Sequence, residues 1–471
     1  MRIPTTSLAS AILLMLLSSH SLAHEVRIAN YSEIGVIAAG KPDDTFILQN
    51  GTWRDATIRI TAGGTKGHPI LIKAETPGQV ILSGSSSLEI RAPYVIVDGL
   101  SFKEGSVAKG AVIQFESDYG TVRNTAIVDY NPPDWHTPYN WVLFSGSHNL
   151  LTRCFFRGKA NMHALVENSE SNARYNSTTK CYFKDIPFRA RVNGREIVKI
   201  LGAGHVDASS PDGAYFTLED NLFEHADGEG VEVVSLKANY NQVIHNTVIA
   251  SIGSINIRRG SYEEIKGNVI LGQGVAGAEG IRMSGSHNLI QGNFISGCGY
   301  GIAVSSGEYW DKPLTPAYVV NDRDGRTPNK SRYPQNKYVT ISQNVTVGNS
   351  GPDLDIGVEE YKKHWPENQN VLIPEECVIE NNRFYRPNGG ISVIGKIPES
   401  NPPLDRLTFK PNTYADNTIL GGKNTFAPAS VGFKETPIPP GWSEGQVTAG
   451  FKPLTAAEVG PEWLKDGSVH E

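Results

Sequence analysis

The chain has 471 residues and a formal net charge of −6. This acidic balance excludes a global attraction to nucleic acid or to acidic polymers, so an anionic partner would need a local basic patch. The 48 glycines and 28 prolines, with only 20% charged residues, favour short elements joined by many turns over long helices.

The N-terminus has the pattern of a secretory signal peptide. Arg2 supplies a positive charge, LASAILLMLL is an apolar run, and SLA ends in a small residue before His24. The apolar run is too short to cross a bilayer, and no later segment is long enough. We therefore expect residues 1–23 to be removed and residues 24–471 to be secreted or periplasmic, with no membrane partner.

The segment SEIGVIAAG follows the signal peptide and predicts a short helix. Ser32 is the expected N-cap, because a serine hydroxyl accepts a hydrogen bond from the first turn. Such a helix would cover the open apolar end of a repeat structure, which needs a cap.

An asparagine followed by alternating apolar residues recurs through the middle of the chain. The segments NLFE, NTVI, NVIL and NFIS are separated by 25, 22 and 25 residues, and NVTV follows 51 residues later. A fixed period of this size, with β-branched alternation and no helical period, predicts an all-β fold, a single right-handed parallel β-helix. Stacked coils would bring the asparagines into a ladder at a bend. The recurring residues are Asn221, Asn246, Asn268, Asn293, Asn344, Asn382 and Asn417.

Basic residues occur on the strands between the asparagines. Lys237 and Arg258 are 21 residues apart, and Arg258 and Arg282 are 24 apart, each close to one coil. Strands on adjacent coils lie roughly 4.8 Å apart, so the three side chains are expected to line one face. Like charges on neighbouring coils are unfavourable unless an anion binds there. A solvated charged face is the alternative explanation.

Two segments and the C-terminus break the repeat. Residues 305–337 and 352–376 are polar, rich in proline and too long for coil turns, which predicts loops over one face. Residues 424–471 are expected to form an irregular tail packed along the outside. Residues 24–471 then form one domain.

The four cysteines are Cys154, Cys181, Cys298 and Cys377. Their spacings match no metal motif, and a core of this size needs no disulfide. Buried free thiols are favoured, and a Cys154–Cys181 pair on neighbouring coils stays open.

Ordered blocks along nearly all of the mature chain resemble polysaccharide lyase family 6, which includes chondroitinase B and many alginate lyases. The blocks are KPDDTFILQNGTW, GGTKGHPILIKAETPGQVILSGSSSLEI, NWVLFSGSHNLLTRCFFRGK, VNGREIVKI, LEDNLFEHADGE, EVVSLK, INIRRG and GIRMSGSHNLIQGNF. The resemblance implies β-elimination on 4-linked uronic acid polymers. Alginate is the expected substrate, and dermatan sulfate (chondroitin B) is the runner-up.

The resemblance also assigns roles on the basic strands. It places the catalytic base on Lys237 of EVVSLK, the assisting acid on Arg258 of NIRRG, and a substrate-binding arginine on Arg282 of GIR. The base must first lose its own proton, which neighbouring positive charges favour. Because a guanidinium ionises above roughly 12, Arg258 suits charge stabilisation near the leaving oxygen, with water or a tyrosine as proton source. Arg259 replaces a common histidine and is a further substrate-binding candidate.

A calcium ion is the cofactor that the resemblance implies, held by the asparagine of an NGGET-type motif and by two glutamates with one residue between them. Asn193 of NGRE matches the asparagine, but Glu229 and Glu232 have one additional residue between them. Because an additional strand residue reverses side-chain direction, this spacing favours metal independence. Three oxygen ligands with water and substrate would still satisfy Ca²⁺, so calcium stays open. Arg195 and Lys199 replace the family's usual Gly and Arg and could bind the substrate charge instead.

Two other classes use similar architecture. A non-catalytic polysaccharide-binding β-helix would have no reason to keep Lys237 and Arg258 one coil apart. A pectate lyase or pectin hydrolase would need aspartate clusters on the central strands, where none occurs. The expected partner is an anionic polysaccharide bound by a monomer. Basic residues in one predicted loop mean that a sulfated substrate is not excluded. They are Arg323, Arg326, Lys330, Arg332 and Lys337.

Overall fold

The computed structural model describes residues 24–169, 173–202, 212–308, 333–358, 371–395 and 410–465. Their strands form three parallel sheets of 14, 14 and 13 strands, here called A, B and C, which the chain visits in turn. Each strand pairs in parallel with the strands one coil before and after it. This is the predicted right-handed parallel β-helix.

The strand bounds follow by sheet. Sheet A contains Glu25–Ile28, Thr45–Leu48, Ile70–Ala74, Val95–Asp98, Thr121–Arg123, Leu150–Thr152, Ser177–Thr179, Thr217–Glu219, Gln242–Ile244, Glu264–Lys266, Leu289–Gln291, Thr340–Ser342, Val378–Glu380 and Thr413–Ala415. Sheet B contains Gly51–Arg54, Val80–Gly84, Leu100–Gly105, Ala126–Val128, Phe155–Arg157, Tyr182–Ile186, Leu222–Ala226, Thr247–Ile249, Val269–Leu271, Phe294–Ser296, Val345–Val347, Arg383–Tyr385, Asn417–Leu420 and Phe433–Thr436. Sheet C contains Thr57–Ile60, Ser87–Ile90, Ala111–Phe115, Asn140–Phe144, Val166–Asn168, Val198–Ile200, Glu232–Leu236, Gly253–Ile257, Ala278–Met283, Ile302–Ser305, Leu354–Val358, Ile391–Gly395 and Lys423–Asn424.

The remaining elements are short. An antiparallel pair joins Gly307–Glu308 to Val371–Leu372. Glu444–Thr448 is an α-helix, and the 3₁₀ helices are Tyr31–Ala39, Ala427–Ala429 and Glu462–Leu464. In the part of the chain that the structure describes, no helix is long and apolar enough to cross a membrane.

The predicted helix after the signal peptide is present as the 3₁₀ helix Tyr31–Ala39, but its N-cap differs. Asn30, not Ser32, is the cap, and its side-chain oxygen accepts from the Ser32 backbone N–H at 3.0 Å. The prediction of Ser32 was wrong because the helix begins earlier than its apolar pattern. Ile37 is buried in the core beside the first coils. The signal-peptide prediction, residues 1–23, lies outside the described residues.

The asparagine ladder is confirmed. Six of the seven predicted asparagines donate from Nδ2 to Oδ1 of the asparagine on the next coil, at 2.9–3.1 Å, and Asn417 is the last acceptor. The same Oδ1 atoms accept backbone N–H groups, as in the bond from Asn246 N to Asn268 Oδ1 at 2.9 Å. The ladder thus satisfies a column of buried polar groups at the bend between sheets A and B. Cys181 N donates to Asn221 Oδ1, so Cys181 precedes the ladder.

All four cysteines are buried free thiols, in agreement with the favoured prediction.

A second column at the turn between sheets C and A consists of aromatic rings. Consecutive rings stack at centroid distances of 4.5–5.0 Å, and every member has a positive φ. Stacking on the next coil compensates the strained backbone that each residue adopts. The column is Tyr94, Tyr119, His148, Tyr175, Tyr215, Tyr240, Tyr262, His287 and Tyr338.

The predicted tail, residues 424–471, is not irregular throughout: Phe433–Thr436 is the last strand of sheet B, and later residues pack on the outer face of that sheet. Leu454, Val459 and Trp463 cover the aromatic patch that contains Phe155 and Tyr182. The Trp463 indole donates to the Asn124 carbonyl at 2.7 Å. The described residues of the tail that pack on sheet B therefore do not cover the outer face of sheet C. Of the predicted loops, residues 309–332 and 359–370 lie outside the described residues.

Candidate active site

Lys237 and Arg258 lie in register on adjacent coils of sheet C. Each follows the last residue of its strand, and those two residues, Leu236 and Ile257, are direct partners. The Lys237 N–H donates to Ile200 O at 2.9 Å, and the Arg258 N–H donates to Leu236 O at 2.9 Å. The parallel ladder therefore places the two cationic side chains next to each other, as the spacing predicted.

Arg282 lies on the same sheet in a different register. Its partner one coil earlier is Asn256. Met283 is the partner of Ile257, and the next residue, Ser284, donates its N–H to Ile257 O, so Ser284 occupies the position beside Arg258. Arg282 is thus offset from Arg258 by two residues, which leaves both side chains on the one face that the spacing predicted. A register shift between Gly253 and Ile255 adds a residue to the partner strand, so this coil is longer than the spacing of the two arginines suggests. Arg282 faces the site one pleat away, roughly 7 Å along the strand.

The amine of Lys237 is paired with a buried carboxylate that the sequence interpretation missed. Lys237 Nζ donates to Glu196 Oε1 at 2.7 Å, and the Glu196 side chain is 0% exposed. Burial works against the charged form, but the charge and hydrogen bond of Lys237 outweigh it and lower the pKa of Glu196. Glu196 belongs to the NGRE segment, so its position three residues after Asn193 was the available signal.

Three buried carboxylates converge beside Lys237. Oxygen atoms of Glu196, Glu229 and Glu232 all lie within 4.8 Å of one another. Burial and the charges of the other two carboxylates raise the pKa of Glu229 to about 7. Glu196 Oε2 and Glu232 Oε2 are buried without a hydrogen-bond partner. Orphaned, mutually repelling carboxylate oxygens are the arrangement that a divalent cation would neutralise.

The additional residue between Glu229 and Glu232 does not separate their carboxylates. Glu229 lies before the strand that begins at Glu232, in a turn in which Gly228 and Gly230 have positive φ, so strand alternation does not set the direction of its side chain. The expectation that the spacing keeps the two carboxylates apart was therefore wrong. Glu232 Oε1 is held by Asn256 Nδ2 at 2.7 Å.

Backbone donors hold Glu229 in the cluster. Its Oε2 accepts from Gly194 N at 2.9 Å and from Arg195 N at 3.2 Å. The NGRE turn thus contributes two N–H groups and the Glu196 side chain to one site. Asn193 is exposed, and its Oδ1 accepts from Arg258 Nη1 at 3.4 Å.

The Arg258 guanidinium contacts three groups. It lies 3.9 Å from Glu232 Oε1, donates to Asn193, and donates from Nη2 to the Tyr333 hydroxyl at 3.3 Å. It also lies over the Tyr333 ring, 5.6 Å from its centroid. Burial lowers its pKa, but Glu232 and Tyr333 raise it further, so the net shift is upward. The guanidinium therefore stays charged.

Arg195 does not fit the predicted substrate contact. It is buried, and its guanidinium donates to the carbonyls of Asn161, Gly228 and Pro187 at 3.3, 2.9 and 3.2 Å. Burial lowers its pKa to about 10. Because Nε, Nη1 and Nη2 each donate to a backbone carbonyl, this guanidinium connects turns of the protein and does not present a pair of N–H donors to a ligand.

Lys199 and Arg259 keep positions that suit substrate binding. Lys199 Nζ lies 3.2 Å from Glu167 Oε2, its partner one coil earlier, and both side chains are partly exposed on the outer face of sheet C. Arg259 follows Arg258 and is half-buried. His163 is a nearby side chain that the sequence interpretation missed. Partial burial, which outweighs the opposing charge of Glu167 and is assisted by Lys199, lowers its pKa.

The three parallel sheets, visited in turn by successive coils, define the class of right-handed parallel β-helix proteins. The sequence model of the chondroitinase B family matches residues 28–426. The chain therefore belongs to that family, polysaccharide lyase family 6.

Solved structures agree with this assignment. The PL6 family polysaccharide lyase Pedsa3628 from Pseudopedobacter saltans is 37% identical, with a TM-score of 0.81 over 93% of this chain and 99% of the other. A mannuronic acid specific family 6 lyase from human gut microbiota is 20% identical, with a TM-score of 0.74 over 94% and 97% of the two chains. The PL6 alginate lyase AlyGC is 23% identical, with a TM-score of 0.76 over 93% of this chain and 58% of the other. The last two show the fold alone. No curated protein sequence matches the chain significantly.

Proposed function

We propose that this protein is an exported lyase that cleaves 4-linked uronic acid polymers, alginate in particular, by β-elimination. The observation that carries the proposal is the pairing of Lys237 and Arg258 in register beside three buried carboxylates. Export rests on the signal-like residues 1–23, and the protein acts as a monomer in the periplasm or outside the cell.

Elimination removes the proton at C5, next to the uronate carboxylate, and releases the oxygen attached to C4. Lys237 is the proposed base, since its amine lies at the sheet surface beside Arg258 and is held in position by Glu196 at 2.7 Å. Arg258 is the proposed charge stabiliser near the leaving oxygen. Arg282, Arg259 and Lys199 bind substrate carboxylates along the same face.

The acidic cluster fits a calcium ion. Glu196, Glu229 and Glu232 would hold it, because their oxygens converge and two of these oxygens have no other partner. A bound Ca²⁺ would neutralise the substrate carboxylate and so make the C5 proton easier to remove. Asn193, which contacts Arg258, lies at the edge of this cluster and would orient the guanidinium.

Alginate remains the first candidate, because the one described residue of the set proposed to contact a sulfate does not suit that role. Of the five basic residues proposed for that role, Lys337 is the one that the structure describes. It is buried, and its amine lies 3.6 Å from Glu375 and 3.3 Å from Glu376. An amine committed to two carboxylates does not bind a sulfate without losing them.

A non-catalytic polysaccharide binder is the second candidate, and one assay separates it from a lyase. The protein is incubated with alginate, dermatan sulfate and polygalacturonate while the ultraviolet absorbance of an unsaturated uronate is followed. We expect absorbance to grow with alginate and not with polygalacturonate. Binding of alginate without any absorbance would establish a binder and overturn the proposal, whereas growth with dermatan sulfate alone would change the substrate.

A further inference from the structure

We propose that Tyr333 is the general acid of the elimination, the residue that protonates the leaving oxygen. This inference rests on the proposed function, since it assigns a step of the same reaction. Tyr333 lies outside every motif of the sequence interpretation, and the tertiary structure brings its hydroxyl within 3.3 Å of Arg258 Nη2.

The geometry favours the phenol over the guanidinium as the proton donor. In the contact between them, Arg258 donates and the phenolic oxygen accepts, so this contact engages the oxygen of Tyr333 and does not use its O–H hydrogen. The guanidinium also lies over the ring, at 5.6 Å from its centroid. Both contacts hold the hydroxyl beside the charge that we place near the leaving oxygen.

Acid strength points the same way. A phenol ordinarily ionises near pH 10, whereas a guanidinium does so only above about 12. The environment of Arg258 raises its pKa further. A donor closer in pKa to the operating pH transfers its proton more readily, so tyrosine is the more effective acid of the two.

The step balances without any further reactant. The C5–H bond breaks and its proton goes to the neutral amine of Lys237, while the electron pair forms the C4=C5 double bond. The C4–O bond breaks with its electron pair on oxygen, which takes the Tyr333 proton and leaves as an alcohol. The phenolate that remains is stabilised by the Arg258 cation, and exchange with water returns the proton from Lys237.

The test compares Tyr333→Phe with wild type on two substrates. Phenylalanine keeps the ring over Arg258 and removes only the hydroxyl. On alginate we expect kcat to fall about 100-fold with KM nearly unchanged, and the alkaline limb of the kcat profile to disappear. On a uronate with a 4-nitrophenoxy group at C4, which leaves without a proton, the loss should be less than about threefold.

Two controls make the outcome decisive. Tyr175→Phe alters an exposed ring of the aromatic column and should leave both activities unchanged. Replacement of Tyr333 by 3-fluorotyrosine, a stronger acid, should move the alkaline limb to lower pH, an effect that a purely structural role would not produce.

The results separate this inference from the function on which it rests. Equal loss on both substrates, or full activity of Tyr333→Phe on alginate, would overturn the role of Tyr333 and leave the lyase in place. A wild-type protein that forms no unsaturated uronate from any polymer would overturn both.

Discussion

At the scale of single residues, the pairing of Lys237 with Glu196 joins catalysis to stability. Truncation of an outward-facing lysine is usually tolerated, but here it would leave a fully buried carboxylate without its cation. Catalysis and folding therefore both depend on this one contact.

We expect Lys237→Ala to abolish elimination and to destabilise the protein at pH 7 by about 3 kcal/mol, because Glu196 loses its partner. The lowered pKa of Glu196 contributes stability above its unfolded pKa, and that stability is lost as pH falls. The destabilisation should therefore shrink in acid, as thermal melts between pH 4 and 7 would show. The matched control is Lys199→Ala, whose partner Glu167 is partly exposed, with a smaller change in melting temperature. Residual turnover by Lys237→Ala would remove it as the base.

The protonation of Glu229 affects stability in the opposite direction to that of Glu196. Its pKa is raised to about 7, so the folded state holds a proton that the unfolded state releases, and stability falls as pH rises from about 4.5 to 7. We expect Glu229→Gln to be more stable than wild type by about 3 kcal/mol at pH 8 in a chelator, with a smaller difference at pH 5. The amide oxygen can still accept from Gly194 and Arg195. If the difference in stability between Glu229→Gln and wild type is the same at pH 5 and pH 8, Glu229 is not the titrating group.

At the scale of elements, two columns organise the coils, and they were not equally visible. The asparagine ladder shows in the sequence because each asparagine precedes an alternating strand. The aromatic column mixes tyrosine with histidine at turns, where no apolar period marks it. Only the positive φ and the stacking show that these rings form one feature.

We expect Asn268→Ala to destabilise the helix by about 2–3 kcal/mol. The substitution removes the acceptor for Asn246 N, which is left buried and unsatisfied, and one of the acceptors for Asn246 Nδ2, which keeps its bond to Leu218 O at 2.8 Å. Lys266→Ala, on the partly exposed face of the same coil, should change stability by less than about 0.5 kcal/mol. Equal denaturation midpoints for the two variants would mean that the ladder does not stabilise the stack.

The turn before the strand Glu232–Leu236 is the element that assembles the acidic cluster. Gly228 and Gly230 adopt positive φ there, and the N–H groups of Gly194 and Arg195 hold the Glu229 carboxylate, so both Glu229 and Glu232 reach Glu196. Spacing alone had indicated the opposite, since it assumed a regular strand.

At the scale of the whole molecule, the cation site and the tail can be tested separately. Chelation should remove lyase activity and lower the melting temperature, and added Ca²⁺ should restore both. A binding free energy gained only by the folded state raises its stability by about 2.7 kcal/mol at 100 times the dissociation constant. Glu229→Gln should lose most of this calcium-dependent shift in melting temperature. Unchanged melting and activity in a chelator would show that the cluster holds no metal.

The tail should affect stability alone, because it packs on sheet B and the site lies on sheet C. We expect Trp463→Ala to cost about 2 kcal/mol, since the indole packs against Gly78 and donates to Asn124. kcat and KM on alginate should stay at wild-type values. Lys465→Ala is the control, and a change in kcat with Trp463→Ala would mean that the two faces are coupled.

Alternation and coil spacing are local properties, so the sequence was sufficient for the β-helix, the asparagine ladder and the pairing of Lys237 with Arg258. The position of Arg282 depends on a register shift, which adds a residue without any mark in composition. Glu196, Arg195 and Tyr333 were decided by the tertiary structure. Whether a charged residue faces the groove, the core or another charge depends on which coil lies beside it. Burial sets the pKa of Glu229 for the same reason, because the neighbouring carboxylates come from other strands.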